Sequence, residues 1–359
     1  MNQQIKKLKI GVYSPYLHIF GGGERYLLSI AESLSQYHEV FLFSDQEIAD
    51  GAKSIFDISL SNVHFLSDTF LTKNALEKYI LLKKFDAFFY MTDGSVFFPG
   101  SKKNYLLIQS PIHIPRFTYM NRIKLINWKI LCYSKFMQKI IESRLHKNAS
   151  ILSPCVDIEK FKSNFTNKKN IILSVGRFFR YPHHKKHDLL IEIFKKNYQK
   201  YFKDWKLIIA GGLTEKEGNN VISNLKQQTV GFPVKVVVNP TFTDLIRLYK
   251  MAKLYWHAAG FGDDIQAYPE KTEHFGITTL EAMAAGAVPL VFAAGGQKDI
   301  IEEGKCGYLW ENEKEFLAKN QQLINNEKLL EKLSSGALSR VDNFSCIRFY
   351  EKINRIITA

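Results

Sequence analysis

Glu273 and Glu281 flank the seven residues His274-Phe275-Gly276-Ile277-Thr278-Thr279-Leu280. Gly276 allows close backbone approach to a ligand, and the spacing predicts a helix from about Thr278 to Ala285 whose first N–H groups face an anion. Glu273 then precedes the helix and Glu281 lies one turn inside it, so the two carboxyl groups can address different parts of one ligand. Paired acceptor oxygens suit vicinal hydroxyls. The plainer alternative is an acid favoured at a helix start plus an exposed helix acid. A cationic group comes earlier in the chain. Val175-Gly176-Arg177 closes an apolar run, and the loop after it carries Arg180, His183, His184, Lys185 and Lys186 before a helix opens near His187-Asp188. Arginine supplies a planar fork and lysine a point charge, so such a loop can wrap a pyrophosphate and counter charge on a departing phosphate. Its alternatives are a solvated basic loop and, at His183-His184, a metal site that lacks a carboxylate or cysteine at ligand spacing. Gly21-Gly22-Gly23-Glu24-Arg25 follows the first apolar run. Its N–H groups either face a phosphate or only satisfy a turn.

These groups need elements to hold them. Leu8 to Tyr13, the glycine turn, a helical spacing over Tyr26 to Leu34 and Val40 to Phe43 read as a βαβ unit. Apolar runs at Ala87 to Tyr90, Tyr105 to Ile108 and Ile130 to Tyr133 extend it. The pattern restarts after the polar stretch Lys162 to Asn170 with Ile171 to Val175, Leu207 to Ala210, Val234 to Val238, Leu254 to His257 and Val288 to Phe292. Two successive α/β units are expected: residues 1–165, residues 166–340, and a closing helical segment 341–359 that packs back on the first. Ligands in open parallel sheets sit at the carboxyl ends of strands, where the motifs above fall.

The 359 residues suit two domains, and 46% hydrophobic with 13% aromatic content excludes a disordered chain. A formal charge of +14 points to phosphorylated ligands, acidic membrane surfaces or nucleic acid. Cys132, Cys155, Cys306 and Cys346 lie far apart without a CxxC, which suggests neither a zinc site nor a disulfide framework, and a reducing cytoplasm is the expected location. Lys6, Lys7 and Lys9 precede an apolar stretch broken by Gly11, Ser14 and Pro15, unlike a signal-peptide core. The uncharged run Ala282 to Gln297 is interrupted by Gly286, Pro289 and Gly295-Gly296, so any membrane contact is expected to be peripheral. A dinucleotide fingerprint would need glycine at Tyr26, and no GxxxxGK[ST] occurs.

The Glu273 to Glu281 segment, followed by Ala282-Met283-Ala284-Ala285-Gly286 and Val288-Pro289, resembles the signature of family 4 retaining glycosyltransferases of the GT-B fold. The glycine loop, Gly176-Arg177, the lysine before Asp188-Leu189-Leu190-Ile191, Ala210-Gly211-Gly212, and Gly295-Gly296 before Ile300-Ile301 fall in family order. The resemblance implies two Rossmann-like α/β domains facing across a deep cleft, with a nucleotide diphosphate sugar held mostly by the second. Arg177 and Lys185 would hold its diphosphate, with Lys186 as rival to Lys185. Glu273 would bind hydroxyls of the transferred sugar, Glu281 the ribose, and the backbone of Phe275, Gly276 and Ile277 the sugar or phosphate. Gly22 and Gly23 would close over the phosphates. Gln109 to Pro115 looks like the family's histidine loop, which makes His113 a catalytic-site candidate; His257 is not placed in that set.

The implied reaction is hexosyl transfer from a UDP-sugar or GDP-mannose to a glycan or lipid-linked acceptor, with retention through front-face displacement. A glycosidase-like route would need a flanking carboxylate pair that the first domain does not show. Neither metal nor cofactor is expected, and Asp263-Asp264 reads as a solvated loop pair. From Arg116 to Lys147 eight cations face the single acid Glu142, interleaved with Phe117, Tyr119, Trp128 and Tyr133. That pattern suits an anionic membrane surface near the acceptor, or a solvated face over core aromatics. Cell-envelope or lipid-linked glycan assembly on the cytoplasmic face is the setting the resemblance implies. The competing readings are an epimerase or a phosphorylase on the same fold, and a basic nucleic-acid-binding protein. A phosphorylase needs a lysine-bound pyridoxal phosphate and a longer chain, and RNP, KH, zinc-finger and helix-turn-helix signatures are missing, so no nucleic-acid partner is expected.

Overall fold

Short apolar runs rich in β-branched and aromatic residues pair as parallel strands, and the amphipathic segments between them cross over as helices. The computed structural model describes residues 6–67, 69–70, 72–178, 185–213 and 218–358. Two compact units result, one of Met1–Pro154 with Ile347–Ala359, the other of Cys155–Cys346. The first holds β1 (Lys9–Tyr13), β2 (Glu39–Phe43), β3 (Val63–Leu66), β4 (Ala87–Met91), β5 (Lys103–Leu107), β6 (Lys129–Cys132) and β7 (Ala149–Ile151), in the order β3-β2-β1-β4-β5-β6-β7. The second holds β8 (Lys169–Val175), β9 (Lys206–Gly211), β10 (Val234–Val238), β11 (Ala252–His257), β12 (Val288–Phe292) and β13 (Tyr308–Trp310), in the order β10-β9-β8-β11-β12-β13. Among the described residues every pairing between these strands is parallel. Each unit therefore has the doubly wound arrangement, and its strand order reverses between β1 and β4 or between β8 and β11. A crevice opens at such a reversal.

Helices cover both sheet faces, which is why β4 is buried at all five positions. Tyr13, Phe43, Phe70, Phe88, Tyr90 and Trp128 are among the residues of the first core, and Phe194, Phe202, Trp256, Trp310 and Phe316 of the second. Two of the aromatics interleaved with the basic segment follow its second reading and are core residues. Trp128 is 1% exposed and donates its indole N–H to the Phe97 carbonyl, and Tyr133 packs edge-on against Tyr26. They flank β6, and the apolar packing around that strand claims them.

The unit boundary also differs from the expected one at 165. Phe161 packs against Phe242 and Tyr249, and the Val156 N–H bonds the Phe344 carbonyl at 3.0 Å, so 155–165 and 341–346 belong to the second unit. The polar stretch 162–170 lies within that unit, where it buries Lys168 and runs into β8. The closing helix Cys346–Thr358 buries Phe349, Ile353 and Ile357 at i, i+4, i+8 spacing, and the Tyr105 hydroxyl of the first unit bonds its Ile356 carbonyl at 2.8 Å. Cys155 and Cys346, distant in sequence, bring their sulfurs to 2.7 Å. Among the described residues no helix is long and apolar enough to cross a membrane.

Candidate active site

In the second unit the reversal lies between the carboxyl ends of β8 and β11. β8 stops at Val175, and half-buried Arg177 follows Gly176. A Cβ on Gly176 would come within 2.6 Å of Lys185 Cγ, so the glycine lets the lysine stem lie across the strand end. The two neighbouring lysines then diverge. Lys185 Nζ donates to Glu273 Oε2 at 2.7 Å, whereas Lys186, the positive-φ cap of the helix His187–Lys196, pairs with Asp263 at 2.8 Å. Asp263 also meets Lys271 at 3.4 Å. It is thus a buttress between two loops and not the solvated acid expected. Burial pushes its carboxyl up, but Lys186 and Lys271 more than offset that and hold it below the usual range. Arg180, His183 and His184 lie outside the described residues.

Glu273 is fixed from behind by the Gly295-Gly296 turn. The Gly296 N–H bonds the Glu273 carbonyl at 2.8 Å, and Gly295, at φ +61°, has no room for a Cβ against that same carbonyl. In front, Glu273 Oε2 receives Lys185 and also His257 Nε2 at 3.2 Å. Oε1 has no hydrogen-bond partner among the described residues. Burial alone would raise this carboxyl, but Lys185 and His257 outweigh it and hold the group well below its ordinary value, as an anion. His257 is 2% exposed, and burial pushes its imidazole down despite the carboxylate beside it. A neutral ring facing a carboxylate must donate from Nε2. His257 thus joins the site, although its sequence context does not mark it as a member. Strand alternation could have found it, since Tyr255 and His257 share one face of β11 opposite buried Trp256 and point polar atoms toward the reversal.

The helix Ile277–Ala284 begins after Gly276, which caps it at φ +118°. Phe275 is 2% exposed with its ring against Phe344, so only its backbone can meet a ligand. Glu281 is 2% exposed and accepts from the Tyr249 hydroxyl at 2.8 Å. An ordinary exposed helix acid is thereby excluded. Between the glutamates, the Tyr255 hydroxyl lies 2.8 Å from Thr278 Oγ1. Burial, and then both carboxyl groups, push its phenol well up, so it stays protonated. Lys185, Glu273 and His257 are therefore assembled into one contact set, with Tyr255 and the Glu281–Tyr249 pair along the same wall.

In the first unit the helix Gly22–Ser35 starts at the glycine turn, and Glu24 accepts the Gly21 N–H at 2.7 Å. Gly22 is exposed, but the space where a Gly23 Cβ would stand is filled by the Gln109 carboxamide, itself bonded by the Tyr133 hydroxyl at 3.1 Å. His113 closes the short turn Pro111–His113 and stacks on Tyr16 with centroids 5.9 Å apart. Its Nδ1 is buried without a partner, and burial lowers its pKa although Asp93 works against that. Among the described residues no group of three or more His, Cys, Asp or Glu side chains gathers to hold a metal.

The basic segment divides in two. Arg144 donates to the Pro111 carbonyl, and Lys147 to those of Leu125 and Ile126, so both serve the fold. Around the short helix Tyr119–Leu125, by contrast, Phe117, Tyr119, Met120, Ile123 and Ile126 are exposed. Ile123 and Ile126 face Leu76, Tyr79 and Phe98 across a groove of about 530 Å³. Arg122 lies over the Phe117 ring and Lys124 over Phe98.

Comparison with known proteins agrees with this architecture. Residues 156–340, more than half the chain and nearly all of the second unit, match the family described as Glycosyl transferases group 1. A Xenopus laevis relative, "GDP-Man:Man(3)GlcNAc(2)-PP-Dol alpha-1,2-mannosyltransferase", is 24% identical over 89% of this chain and 81% of its own length. A glycosyltransferase from Rickettsia africae superposes with a TM-score of 0.77 at 16% identity over 98% of each chain. Anabaena Alr3699/HepE, solved in complex with UDP, gives 0.73 at 15% identity over 98% of this chain and 99% of its own. At such identities the structures speak for the fold alone, which is GT-B, while the family match spans Arg177, His257 and both glutamates. The chain belongs to the group 1 glycosyl transferases, enzymes that move a sugar from a nucleotide donor to an acceptor.

Proposed function

We propose that the chain is a retaining mannosyltransferase that takes GDP-mannose as donor and extends a lipid-linked glycan at a membrane surface. The observation that carries this reading is the Lys185–Glu273–His257 set at the β8/β11 reversal. A cation beside the end of β8 is suited to a diphosphate, and a fixed carboxylate with one open oxygen is suited to sugar hydroxyls. The name of the Xenopus relative favours GDP-mannose and a pyrophosphate-linked lipid acceptor; the UDP complex of HepE keeps UDP-sugars as the rival donor.

In this reading Arg177 and Lys185 hold the diphosphate, Glu281 the ribose, Glu273 the transferred sugar, and the backbone from Phe275 to Ile277 the phosphate or sugar. The acceptor oxygen attacks the anomeric carbon on the face the diphosphate leaves. The carbon–phosphate-oxygen bond breaks, and the hydroxyl proton passes to the departing diphosphate, whose charge the two cations stabilise. The protein acts by placement and electrostatics, with no metal. The parts given to Gly22, Gly23 and His113 rest on family resemblance.

Thermal unfolding with GDP, UDP, NAD or an oligonucleotide tests the donor class, and the anomeric configuration of a transferred mannose tests the stereochemistry. GDP should stabilise the protein and the product should keep the α configuration. Protection by UDP alone would move the reading to a UDP-sugar, and an inverted product would end the retaining mechanism.

The surface around Tyr119–Leu125 supports docking on anionic lipid at the cytoplasmic face: exposed apolar side chains are interleaved along the chain with Arg116, Arg122 and Lys124, which can reach headgroup phosphates. Flotation with phosphatidylglycerol vesicles at low salt should carry the protein up. Flotation with neutral phosphatidylcholine should not, and the variant Tyr119→Ser with Ile126→Ser should stay behind in both. Equal binding to both vesicle types would sink this part.

A further inference from the structure

We infer that His257 is a positioning residue for sugar transfer: it holds Glu273 Oε2 so that Oε1 faces the transferred sugar, and it keeps that hold when the donor diphosphate claims Lys185. This rests on the reading of Glu273 as the sugar-binding carboxylate. Three observations carry it. Both donors to Glu273 converge on the same oxygen, Lys185 Nζ at 2.7 Å and His257 Nε2 at 3.2 Å. The two donors differ in kind. Lys185 sits on a long stem just before the helix His187–Lys196, with its side chain 21% exposed, whereas the His257 ring ends a central strand and its side chain is 3% exposed. Finally, β11 turns its polar side chains on one face to the same segment, Tyr255 to Thr278 and His257 to Glu273.

The consequence is a handover. Without donor, Lys185 and Glu273 neutralise each other across the space a sugar diphosphate would fill. A diphosphate carries more charge than one carboxylate and draws the lysine away. Glu273 would then be a partly buried anion free to rotate, with a desolvation cost that nothing offsets. The strand-borne imidazole prevents this. It supplies one fixed donor, neutral and therefore unable to compete for the phosphates, and it leaves the second oxygen for the substrate.

The test compares His257→Phe, His257→Leu and His257→Gln with the intact chain and with Glu273→Gln, reading GDP affinity, GDP-mannose affinity and kcat separately. Loss of the donor N–H should lower kcat roughly 10- to 100-fold in both apolar variants, because a displaced carboxylate misplaces the sugar. GDP affinity should stay within about twofold, since the nucleotide does not touch Glu273, and the extra affinity of GDP-mannose over GDP should vanish. His257→Gln, whose amide can still donate, should recover most of the loss. Wild-type kcat in the apolar variants, equal loss of GDP and GDP-mannose affinity, a defect confined to one apolar variant, or no recovery by glutamine would each overturn the inference. Full turnover in Glu273→Gln would instead overturn the underlying assignment of Glu273.

Discussion

The Tyr249 hydroxyl and the Glu281 carboxyl group meet at 2.8 Å between the helices Phe242–Met251 and Ile277–Ala284, with Glu281 only 2% exposed. A carboxyl so enclosed is oriented before any nucleotide arrives. Tyr249→Phe removes that donor, a change of about 0.5–1.5 kcal/mol for one hydrogen bond. Nucleotide affinity should fall by up to about tenfold, in the same direction as Glu281→Ala and by less, while kcat at saturating donor changes little. Calorimetric titration with GDP measures it; unchanged affinity in both variants would contradict the ribose assignment.

Lys185 and Glu273 make a different prediction, because each is the other's counter-charge. Glu273→Ala frees Lys185 for the diphosphate, so GDP should bind as tightly as before or more so, while turnover drops by roughly 100-fold or more through loss of sugar placement. Lys185→Ala should weaken GDP and GDP-mannose alike. Equal effects of the two substitutions on GDP binding would show that the pair is not divided between sugar and phosphate.

What could be read without coordinates follows physical lines. Strands announce themselves as apolar runs of four residues or more, and ten were legible, nine of them central and one, β10, at an edge but with four valines in five positions. β3, β7 and β13 were not, because each is a short strand at a sheet edge with few buried positions to mark it. The Glu273 to Glu281 spacing was legible because one helix start governs it. The partners of those acids were not: His257 comes from β11, Tyr249 from a preceding helix, and Asp263 finds Lys186 across two loops. Local pattern reports which face of an element is buried, and only the packed chain reports which side chain lies opposite. Trp128 and Tyr133 show the same limit, since interleaving with basic residues suits a surface or a core wall alike and packing decides for the core.

Lys168 gives a pH prediction. It is 7% exposed, its Nζ donates to the Ala252 carbonyl at 2.9 Å, and burial pushes its pKa down to about 7. The unfolded chain keeps that proton to about pH 10. Between those values the unfolded state binds more protons than the folded one, so stability rises with pH across the window, by up to about 1.4 kcal/mol per unit. Below the folded value the whole cost of burying a charged lysine is present. Lys168→Met should remove this rise, seen in urea unfolding from pH 6.5 to 9.5 as a wild-type minus variant difference that grows with pH. A flat difference would mean that Lys168 is not held near neutrality.

The sulfurs of Cys155 and Cys346 stand 2.7 Å apart at the first and last residues of the second unit. A bond between them would close a loop holding that entire unit. In the chain-entropy account, a cross-link over a loop of that size removes about 5 kcal/mol of unfolded-state freedom at most. Diamide takes two hydrogens from the two thiols, becoming a hydrazine as the disulfide forms. Oxidised protein should therefore lose two of its four titratable thiols and unfold at higher temperature, and a reducing thiol should reverse both changes. Cys346→Ser should show neither change. The pair is separable from catalysis, because Lys185, Glu273 and His257 are not among its contacts. Oxidised protein that keeps four thiols, or that loses two and melts no higher, would show that the two ends of this unit are not held together as the structure has them.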